Sequence, residues 1–344
     1  MIRKMGIPLR IGLVGCGGIA QVIHIPILKK HPDVNLQALC DIDSSKAAIV
    51  ADKFKVPHSY EDIEDMLRNE ELDIVFILTP NNLHLPMSLL ALEYGAHLFI
   101  EKPTARNHSE VERIRKKAKE SKRAVMIGMQ NRFHTDVQAL RKFLQNNELG
   151  KLFFIKAGWL QAIYHSIKQP WIFQKNVSGG GVVMDLGIQV IDLIWWLLEK
   201  PKPKSIKALT YQINSQIKVE DFCMICLNFG DAISVSLEIC WDFPIPEDRF
   251  FLEIVGEKGI GSLNPLKMQK LMHGQIMNIT PEIKGTRFSN FQLGYQNEIY
   301  HFIDYLTGRV DQLESTIEDS VKVFRIIDGI YQSLSTGREV QFKS

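Results

Sequence analysis

The sequence predicts an α/β protein in which a doubly wound parallel sheet is followed by an α+β domain with an open, mainly antiparallel sheet. Early in the chain, short apolar runs alternate with segments of helical spacing, a pattern typical of parallel sheets covered by helices. Later, apolar and polar residues alternate with a period of two, which indicates strands with one buried face. A chain of 344 residues has room for both domains, and we expect them over 1–130 and 131–344.

The first domain is expected to be an alternation of strands and helices. The strands are predicted at 11–14, 36–40, 74–78, 98–100 and 125–129. Segment 74–78 is apolar without alternation, as expected for a strand covered on both faces. Ser44 or Ser45 is expected to cap the second helix and Ser109 a later one, because serine accepts a hydrogen bond from a free N–H at a helix start.

The second domain is expected to be built on strands that expose one face. Residues 233–241 alternate between inward and outward positions, and Gly230 before them suits a hairpin turn. Helices over 295–306 and 316–333 close the chain. Because open sheet faces commonly pack on a partner, we expect a homodimer or homotetramer formed through this sheet. The alternative is a sheet covered by helices of its own chain.

A glycine-rich turn follows the first predicted strand. Residues 15–20, Gly-Cys-Gly-Gly-Ile-Ala, fit G-x-G-x-x-G/A, the pattern that binds a dinucleotide. Gly15 makes the tight turn, Gly17 lets phosphates approach the backbone, and Ala20 lets the helix pack on the sheet. Gly18 and Ile19 open the helix, whose free N–H groups and partial positive charge favour phosphate. Strand, turn and helix together predict a Rossmann-type nucleotide site.

The second predicted strand ends at an acidic residue, Asp41. A carboxylate at this place accepts the hydroxyls of the adenosine ribose and repels the 2′-phosphate of NADP. Ile42 follows instead of an arginine, so the sequence favours NAD, while Lys46 leaves NADP open.

Composition excludes several other classes of protein. Lys and Arg number 41 against 39 Asp and Glu, a net charge of +2, so we expect neither a nucleic-acid nor a membrane partner. Five sparse cysteines indicate free thiols in a reducing compartment, and we expect a cytoplasmic protein. Cys223 and Cys226 fit C-x-x-C, but on a strand they would face opposite sides. No spacing of ligands predicts a metal site.

Short motifs recur in order along nearly the whole chain. They are the glycine turn, Thr79-Pro80-Asn81-Asn82 with His84, Glu101-Lys102-Pro103, Gly179-Gly180-Gly181 leading to Asp185, Val219-Glu220-Asp221-Phe222, and Thr336-Gly337-Arg338. Together they resemble the glucose–fructose oxidoreductase/inositol dehydrogenase (Gfo/Idh/MocA) family of NAD(P)-dependent oxidoreductases. The resemblance implies a nucleotide-binding domain, then an α/β domain, with a sugar, cyclitol or related polyol held between them.

The resemblance also implies which residues bind and react. The expected cofactor-binding residues are Gly15, Gly17, Gly18, Ile19, Asp41, Thr79, Pro80, Asn81, His84, Glu101 and Lys102. Lys102 would contact the reacting hydroxyl, as donor to the alkoxide or as the base. Asp185 and Gln189 are expected, with Lys102, to be catalytic and substrate-binding residues. Asp185 would lie at the mouth of a helix, where capping is its alternative role. Asp192, seven residues on, would orient a neighbour, bind hydroxyls or form a buried ion pair. His24 is expected near the cofactor or on the helix surface.

One residue departs from the family. Dehydrogenases of this family usually have a histidine four residues after the aspartate, and here Gln189 stands there. An imidazole can take up a proton near neutral pH, whereas a carboxamide can only form hydrogen bonds. Three interpretations stay open. Lys102 carries the proton alone while Gln189 binds substrate; Tyr164 or His165 supplies the missing group; or the protein is a non-catalytic sensor or auxiliary subunit that binds nucleotide.

The segment 157–177 is expected to set substrate specificity. Its aromatic and polar side chains, among them Tyr164, His165 and Trp171, suit a wall against which a sugar ring stacks. A further hypothesis keeps NAD bound and recycles it within one turnover, as in oxidation-assisted cleavage of glycosides.

Overall fold

The computed structural model describes residues 8–162, 170–230, 232–282 and 290–343. The chain divides into two compact units. The first unit comprises Met1–Gln130 and Phe291–Lys322, and the second comprises Asn131–Asn290 and Val323–Ser344. The predicted fold class is confirmed, because one sheet is parallel and the other is mixed and mostly antiparallel. The functional domains expected over 1–130 and 131–344 stay a prediction.

The sheet of the first unit has the strand order β3-β2-β1-β4-β5-β6, and its strands run parallel. The strands are β1 (Leu9–Val14), β2 (Val34–Cys40), β3 (His58–Tyr60), β4 (Ile74–Ile77), β5 (His97–Ile100) and β6 (Val125–Ile127). Every residue of β4 is buried, as predicted for a central strand. The order reverses between β1 and β4, and ligands of such sheets bind outside the carboxyl ends of the strands at that point.

Helices cover this sheet between its strands. They are α1 (Ile25–Lys30), α2 (Ser44–Phe54), α3 (Ile63–Asn69), α4 (Asn81–Glu93) and α5 (His108–Ser121). A π-turn over Ala20–His24 precedes α1.

Two helix caps differ from the prediction. Asp43 caps α2 and Asn107 caps α5, and each side chain accepts a hydrogen bond of 3.0 Å from the N–H three residues further on. The predicted caps Ser44, Ser45 and Ser109 are therefore wrong, because these residues lie inside the helices. Aspartate and asparagine are strong N-caps and already occupy the preceding positions.

The second unit is built on a sheet of order β14-β13-β12-β11-β7-β10-β9-β8-β15. Its strands are β7 (Leu152–Ala162), β8 (Pro203–Tyr211), β9 (Phe222–Phe229), β10 (Ile233–Phe243), β11 (Arg249–Gly256), β12 (Gly259–Leu263), β13 (Lys267–Met272), β14 (Gln275–Asn278) and β15 (Val340–Gln341). Strands β7 and β10 run parallel to each other. Cys223 is buried and Cys226 is exposed, which confirms that they face opposite sides of β9.

The remaining helices are α6 (Thr135–Gln145), α7 (Lys175–Ser178), α8 (Ile188–Leu197), α9 (Asn290–Leu306) and α10 (Ile317–Thr336). A second π-turn, Val183–Gly187, leads into α8. Among the described residues, the stretch Lys175–Leu197 is long and apolar enough to cross a membrane by length and composition alone. Most of it is buried within the protein, which is typical of the core helix of a globular unit.

Candidate active site

The glycine turn after β1 is closed on one side and open on the other. Gly15 has a φ of +99°, and a Cβ atom there would lie 2.7 Å from the carbonyl oxygen of Leu78, so glycine is required. A Cβ atom at Gly17 or Gly18 would meet no heavy atom within 4 Å. The open side is therefore a cradle of exposed backbone that a diphosphate can approach and that side chains would fill.

Asp41 is tied directly to this turn. Its carboxylate accepts hydrogen bonds from the Cys16 N–H at 2.8 Å and from the Asp43 N–H at 3.1 Å. The ammonium of Lys46 lies 2.8 Å from the same carboxylate. Burial, with a smaller effect of the Asp41 charge, raises the pKa of the Cys16 thiol to about 12, so the thiol stays neutral. The predicted diphosphate and ribose sites are thus adjacent.

His84 joins the two loops that follow β4 and β5. The side chain is 1% exposed. Its Nε2 lies 2.7 Å from the carbonyl oxygen of Thr79, and its Nδ1 lies 2.9 Å from that of Pro103. Burial lowers the pKa of His84, although both carbonyl groups act in the opposite direction. Because the backbone occupies both ring nitrogens, a direct contact of His84 with the cofactor stays a prediction, as do those of Pro80 and Asn81 beside it.

Glu101 holds the backbone of Lys102. One carboxylate oxygen lies 2.8 Å from His24 Nε2, and the other accepts a hydrogen bond of 3.0 Å from the Lys102 N–H. Burial opposes ionisation of Glu101, but the hydrogen bond from His24, together with the Lys102 charge and the Lys102 N–H, outweighs it and lowers the pKa of Glu101. Glu101 is therefore a carboxylate at neutral pH, and the half-buried Lys102 stands on a fixed backbone.

In the second unit, Asp185 and Gln189 lie together. Asp185 lies inside the π-turn, and its carboxylate accepts a hydrogen bond of 3.0 Å from the indole of Trp241. The capping role is therefore wrong, because Asp185 lies within a helical segment instead of before it. Gln189 is 4% exposed, and its amide nitrogen donates to the Asp185 carbonyl oxygen at 3.0 Å.

Glu220 fixes the glycine segment that leads to this turn. Its carboxylate accepts hydrogen bonds from the Gly181 N–H at 2.8 Å, the Val183 N–H at 3.3 Å and the Tyr331 hydroxyl at 2.8 Å. A Cβ atom at Gly181 would lie 2.0 Å from the carbonyl oxygen of Glu220, so the two backbones approach too closely for any side chain. Burial raises the pKa of Glu220 in spite of its hydrogen bonds.

Asp192 forms the buried ion pair that the sequence left as one alternative. Its oxygens lie 2.5 Å from Nη2 and 2.8 Å from Nε of Arg132. Arg132 is 0% exposed and Asp192 is 2% exposed. Sequence reasoning missed Arg132, because nothing in its surroundings marks it as paired with a residue sixty positions away.

The other predicted residues are placed as follows. Trp171 is half-buried in a 3₁₀ turn, Pro170–Phe173. Tyr164 and His165 lie outside the described residues. His24 is fully buried, so the alternative of a surface histidine is wrong.

Comparison with known proteins agrees with these features. Residues 9–129 match the model of an oxidoreductase family, GFO/IDH/MocA, with an NAD-binding Rossmann fold, and residues 137–261 match the GFO/IDH/MocA C-terminal domain.

D-glucoside 3-dehydrogenase of Escherichia coli (strain K12) is 26% identical over 351 residues, covering 97% of each chain. Glucose-6-phosphate 3-dehydrogenase of Bacillus subtilis (strain 168) is 28% identical over 258 residues, 72% of each. A levoglucosan dehydrogenase in complex with NADH and levoglucosan shares the fold, with a TM-score of 0.88 at 20% identity over 98% of this chain and 100% of that one.

Proposed function

Because the chain belongs to the Gfo/Idh/MocA family of oxidoreductases, we propose that it exchanges a hydride between nicotinamide and a hydroxyl or keto carbon of a sugar, cyclitol or related polyol. The chain is an NAD(P)-dependent oxidoreductase that acts on CH–OH groups. One observation carries the proposal: the open cradle at Gly17 and Gly18 is joined to Asp41 through the Cys16 N–H.

NAD is the cofactor that these residues suit best. When bound, it supplies the hydride acceptor. The exposed N–H groups from Gly17 to Ile19 would hold the diphosphate, and the Asp41 carboxylate would accept the hydroxyls of the adenosine ribose. The Lys46 ammonium neutralises part of the Asp41 charge at 2.8 Å, which leaves NADP as a weaker second cofactor.

Lys102 is the residue proposed to handle the hydroxyl proton. Its ammonium group donates to the developing alkoxide, or its amine takes the proton once the substrate hydroxyl reaches it. The Glu101 carboxylate holds the Lys102 N–H at 3.0 Å, so the side chain extends from a fixed point. A fixed origin favours this role because proton transfer depends on hydrogen-bond geometry.

Asp185 and Gln189 are proposed to bind substrate hydroxyls. The Trp241 indole orients the Asp185 carboxylate, and the Gln189 amide nitrogen donates to the Asp185 carbonyl. A carboxamide neither takes up nor releases a proton at neutral pH. Proton transfer therefore falls to Lys102, while Tyr164, His165 and Trp171 remain expected substrate contacts.

The substrate class proposed first is a glucoside or phosphorylated glucose that is oxidised at C3. Two relatives that act as 3-dehydrogenases support this choice, D-glucoside 3-dehydrogenase and glucose-6-phosphate 3-dehydrogenase. The purified protein is to be assayed for NADH formation with alkyl glucosides, glucose 6-phosphate, levoglucosan and inositols, each with NAD and with NADP. We expect turnover with at least one pyranoside, and product analysis by NMR identifies the oxidised carbon.

The role of Lys102 is tested in the same assay. Lys102→Met is expected to lower kcat by about 10²–10⁴-fold, the usual contribution of a general acid or base. Lys116→Met is the matched control, because Lys116 is an exposed residue of α5. Equal loss in the two variants, or full activity in Lys102→Met, removes Lys102 from the mechanism.

A non-catalytic nucleotide-binding protein is the second candidate function, and Gln189 is the observation that favours it. This candidate predicts NADH binding by fluorescence without turnover of any substrate in the panel. Gln189→His separates the two functions, because a gain of turnover indicates a scaffold that lacks only a proton acceptor. The hypothesis of internally recycled NAD predicts instead that the cofactor co-purifies and that no net NADH is released.

Assembly and location are proposed on other grounds. Exposed apolar side chains on β13 and β14, among them Leu271, Ile276 and Met277, support a homodimer or homotetramer formed through the second sheet. Light scattering coupled to gel filtration measures its mass. The free cysteines support a cytoplasmic location, which cell fractionation tests.

A further inference from the structure

Two buried histidines flank the short segment that carries Lys102. His24 is 0% exposed and His84 is 1% exposed. One contacts the residue before Lys102 and the other contacts the residue after it. Both belong to the first unit, as does Lys102.

His24 reaches Glu101 because of a local change in helix geometry. It is the last residue of the π-turn Ala20–His24, and its ring lies edge-on to Phe76, Phe99 and Tyr295 at centroid distances of 5.5 to 6.0 Å. In these apolar surroundings its Nε2 lies 2.8 Å from Glu101. Its Nδ1 has no hydrogen-bond partner within the described part of the chain, so the tautomer with hydrogen on Nε2, which donates to Glu101, fits the site best.

The contact of His24 passes to Lys102 through a single carboxylate. Glu101 uses one oxygen for His24 and the other for the Lys102 N–H, at 2.8 and 3.0 Å. A carboxylate held at both oxygens has little freedom to rotate. The backbone from which the Lys102 side chain starts is thereby fixed on its N-terminal side.

His84 fixes the C-terminal side of the same segment. Its Nδ1 lies 2.9 Å from the Pro103 carbonyl oxygen, and its Nε2 lies 2.7 Å from that of Thr79. Proline has no N–H, so the carbonyl is the one backbone hydrogen-bonding group that Pro103 offers. A neutral imidazole donates through one nitrogen only, and in the tautomer with hydrogen on Nδ1 the His84 ring of α4 holds the carbonyl of Pro103.

We propose that His24 and His84, together the histidine brace, are positioning residues that hold Lys102 for proton transfer. The inference rests on the function proposed above for Lys102. Both histidines are buried and would act on Lys102 through the residues on either side of it. A misplacement of about 1 Å costs on the order of 100-fold in rate at a reacting centre, so a loosened segment is expected to lower kcat without weakening nucleotide binding at the glycine turn.

Four variants of the brace test it. His24→Leu and His84→Leu remove the hydrogen bonds and keep apolar bulk. His24→Gln keeps an N–H donor near the position of Nε2, which contacts Glu101, and His84→Asn keeps one near the position of Nδ1, which contacts Pro103. His97→Gln is the matched control, because His97 lies at the opposite end of β5 and accepts one backbone hydrogen bond, from the Ala124 N–H. Each protein is compared for kcat, KM, NADH affinity and hydrogen exchange in the peptide that contains Lys102.

The leucine variants are expected to lose about 10- to 100-fold in kcat, with NADH affinity changed less than about threefold and faster exchange at Lys102. His24→Gln and His84→Asn are expected to recover a large part of the loss, and His97→Gln is expected to match the wild type. If a leucine variant fails to fold, the amide variant at that site (His24→Gln or His84→Asn) and the exchange measurement decide.

Two failures are distinguishable. If Lys102→Met is inactive while folded leucine variants keep wild-type kcat and exchange, the brace is wrong and the function of Lys102 stands. If Lys102→Met is fully active, the proposed function of Lys102 is wrong and the brace has no catalytic purpose.

Discussion

Replacing Asp192 with alanine removes one half of the buried ion pair and leaves the other half in place. The Arg132 side chain is 0% exposed and that of Asp192 is 4% exposed. Arg132 also lies over the ring of Trp196, with 5.7 Å from its guanidinium carbon to the ring centroid. An arginine so enclosed has little access to water once its partner is lost. Breaking a buried pair in this way costs about 3–5 kcal/mol of folding free energy.

Comparison with a second ion pair explains why we expect burial, and not the distance between the charges, to set the folding free energy lost when one partner is removed. Arg68 and Glu64 are 2.6 Å apart, close to the 2.5 Å between Arg132 and Asp192, but their side chains are 61% and 43% exposed. Pairs of this kind on a helix surface are worth about 0.3–0.5 kcal/mol. Glu64→Ala is therefore the matched control, with an expected loss about tenfold smaller in free energy than that of Asp192→Ala.

Urea unfolding followed by tryptophan fluorescence measures both losses, because Trp196 lies beside the buried pair. The double variant Arg132→Met/Asp192→Leu removes both charges, and apolar replacements of a buried pair are often neutral or stabilising. We expect the double variant to regain most of the stability that Asp192→Ala loses. An Asp192→Ala protein no less stable than Glu64→Ala, or a double variant less stable than the single, refutes the reasoning.

Three further predictions follow from the turns and acids of the two units. Asp41→Ala removes the charge that repels a 2′-phosphate and releases Lys46. The ratio of NADP to NAD affinity, measured by calorimetry, is therefore expected to rise at least about tenfold, or ~1.4 kcal/mol. An unchanged ratio contradicts the binding of the adenosine ribose by Asp41. Gly15→Ala is expected to unfold at a lower urea concentration, because its Cβ atom would lie 2.7 Å from a carbonyl oxygen. In Gly17→Ala the Cβ atom would have no heavy atom within 4 Å, so this variant is expected to keep its stability and to lose NAD affinity. Equal effects of the two glycine variants contradict the cradle. Folding raises the pKa of Glu220 above its ordinary value of 4.5, so the folded state holds the proton more tightly than the unfolded state. The free energy of unfolding therefore falls as the pH rises from 4.5 through the folded pKa. In Glu220→Gln the free energy of unfolding is expected to depend less steeply on pH over that range, and an unchanged slope assigns the pH dependence to other groups.

The sequence predicts those parts of the fold that depend on neighbouring residues. The alternation of strands and helices, the full burial of β4 and the turn at Gly15 each follow from a local pattern. The link between Asp41 and the glycine turn is also predictable, because parallel strands bring their carboxyl ends to one edge of the sheet. Helix caps are less predictable, since Asp43 competes with the serines beside it.

The partners of the candidate residues could not be predicted. Trp241 lies 56 positions from Asp185, and Tyr331 lies 111 positions from Glu220. One sequence contains no signal for such pairs, because each depends on how separate elements pack. The motif around Glu220 marks that residue as notable, but nothing near Tyr331 indicates that its hydroxyl donates to Glu220.

The two π-turns explain why the roles of His24 and Asp185 also lay beyond local patterns. Each turn contains one of these residues. A π-turn adds a residue to the helical repeat, so the side chains beyond it are rotated by about 100° relative to a regular helix of 3.6 residues per turn. A helical wheel drawn from the sequence therefore assigns the wrong face after each turn. His24 ends the first turn and Asp185 lies inside the second, where the regular repeat no longer gives the direction of a side chain. The structure places His24 in the core against Glu101 and Asp185 at the Trp241 indole. Few helices contain a π-turn, and those that do often have it at a functional site. The irregular starts of these two helices therefore support the roles proposed for His24 in positioning Lys102 and for Asp185 in binding substrate.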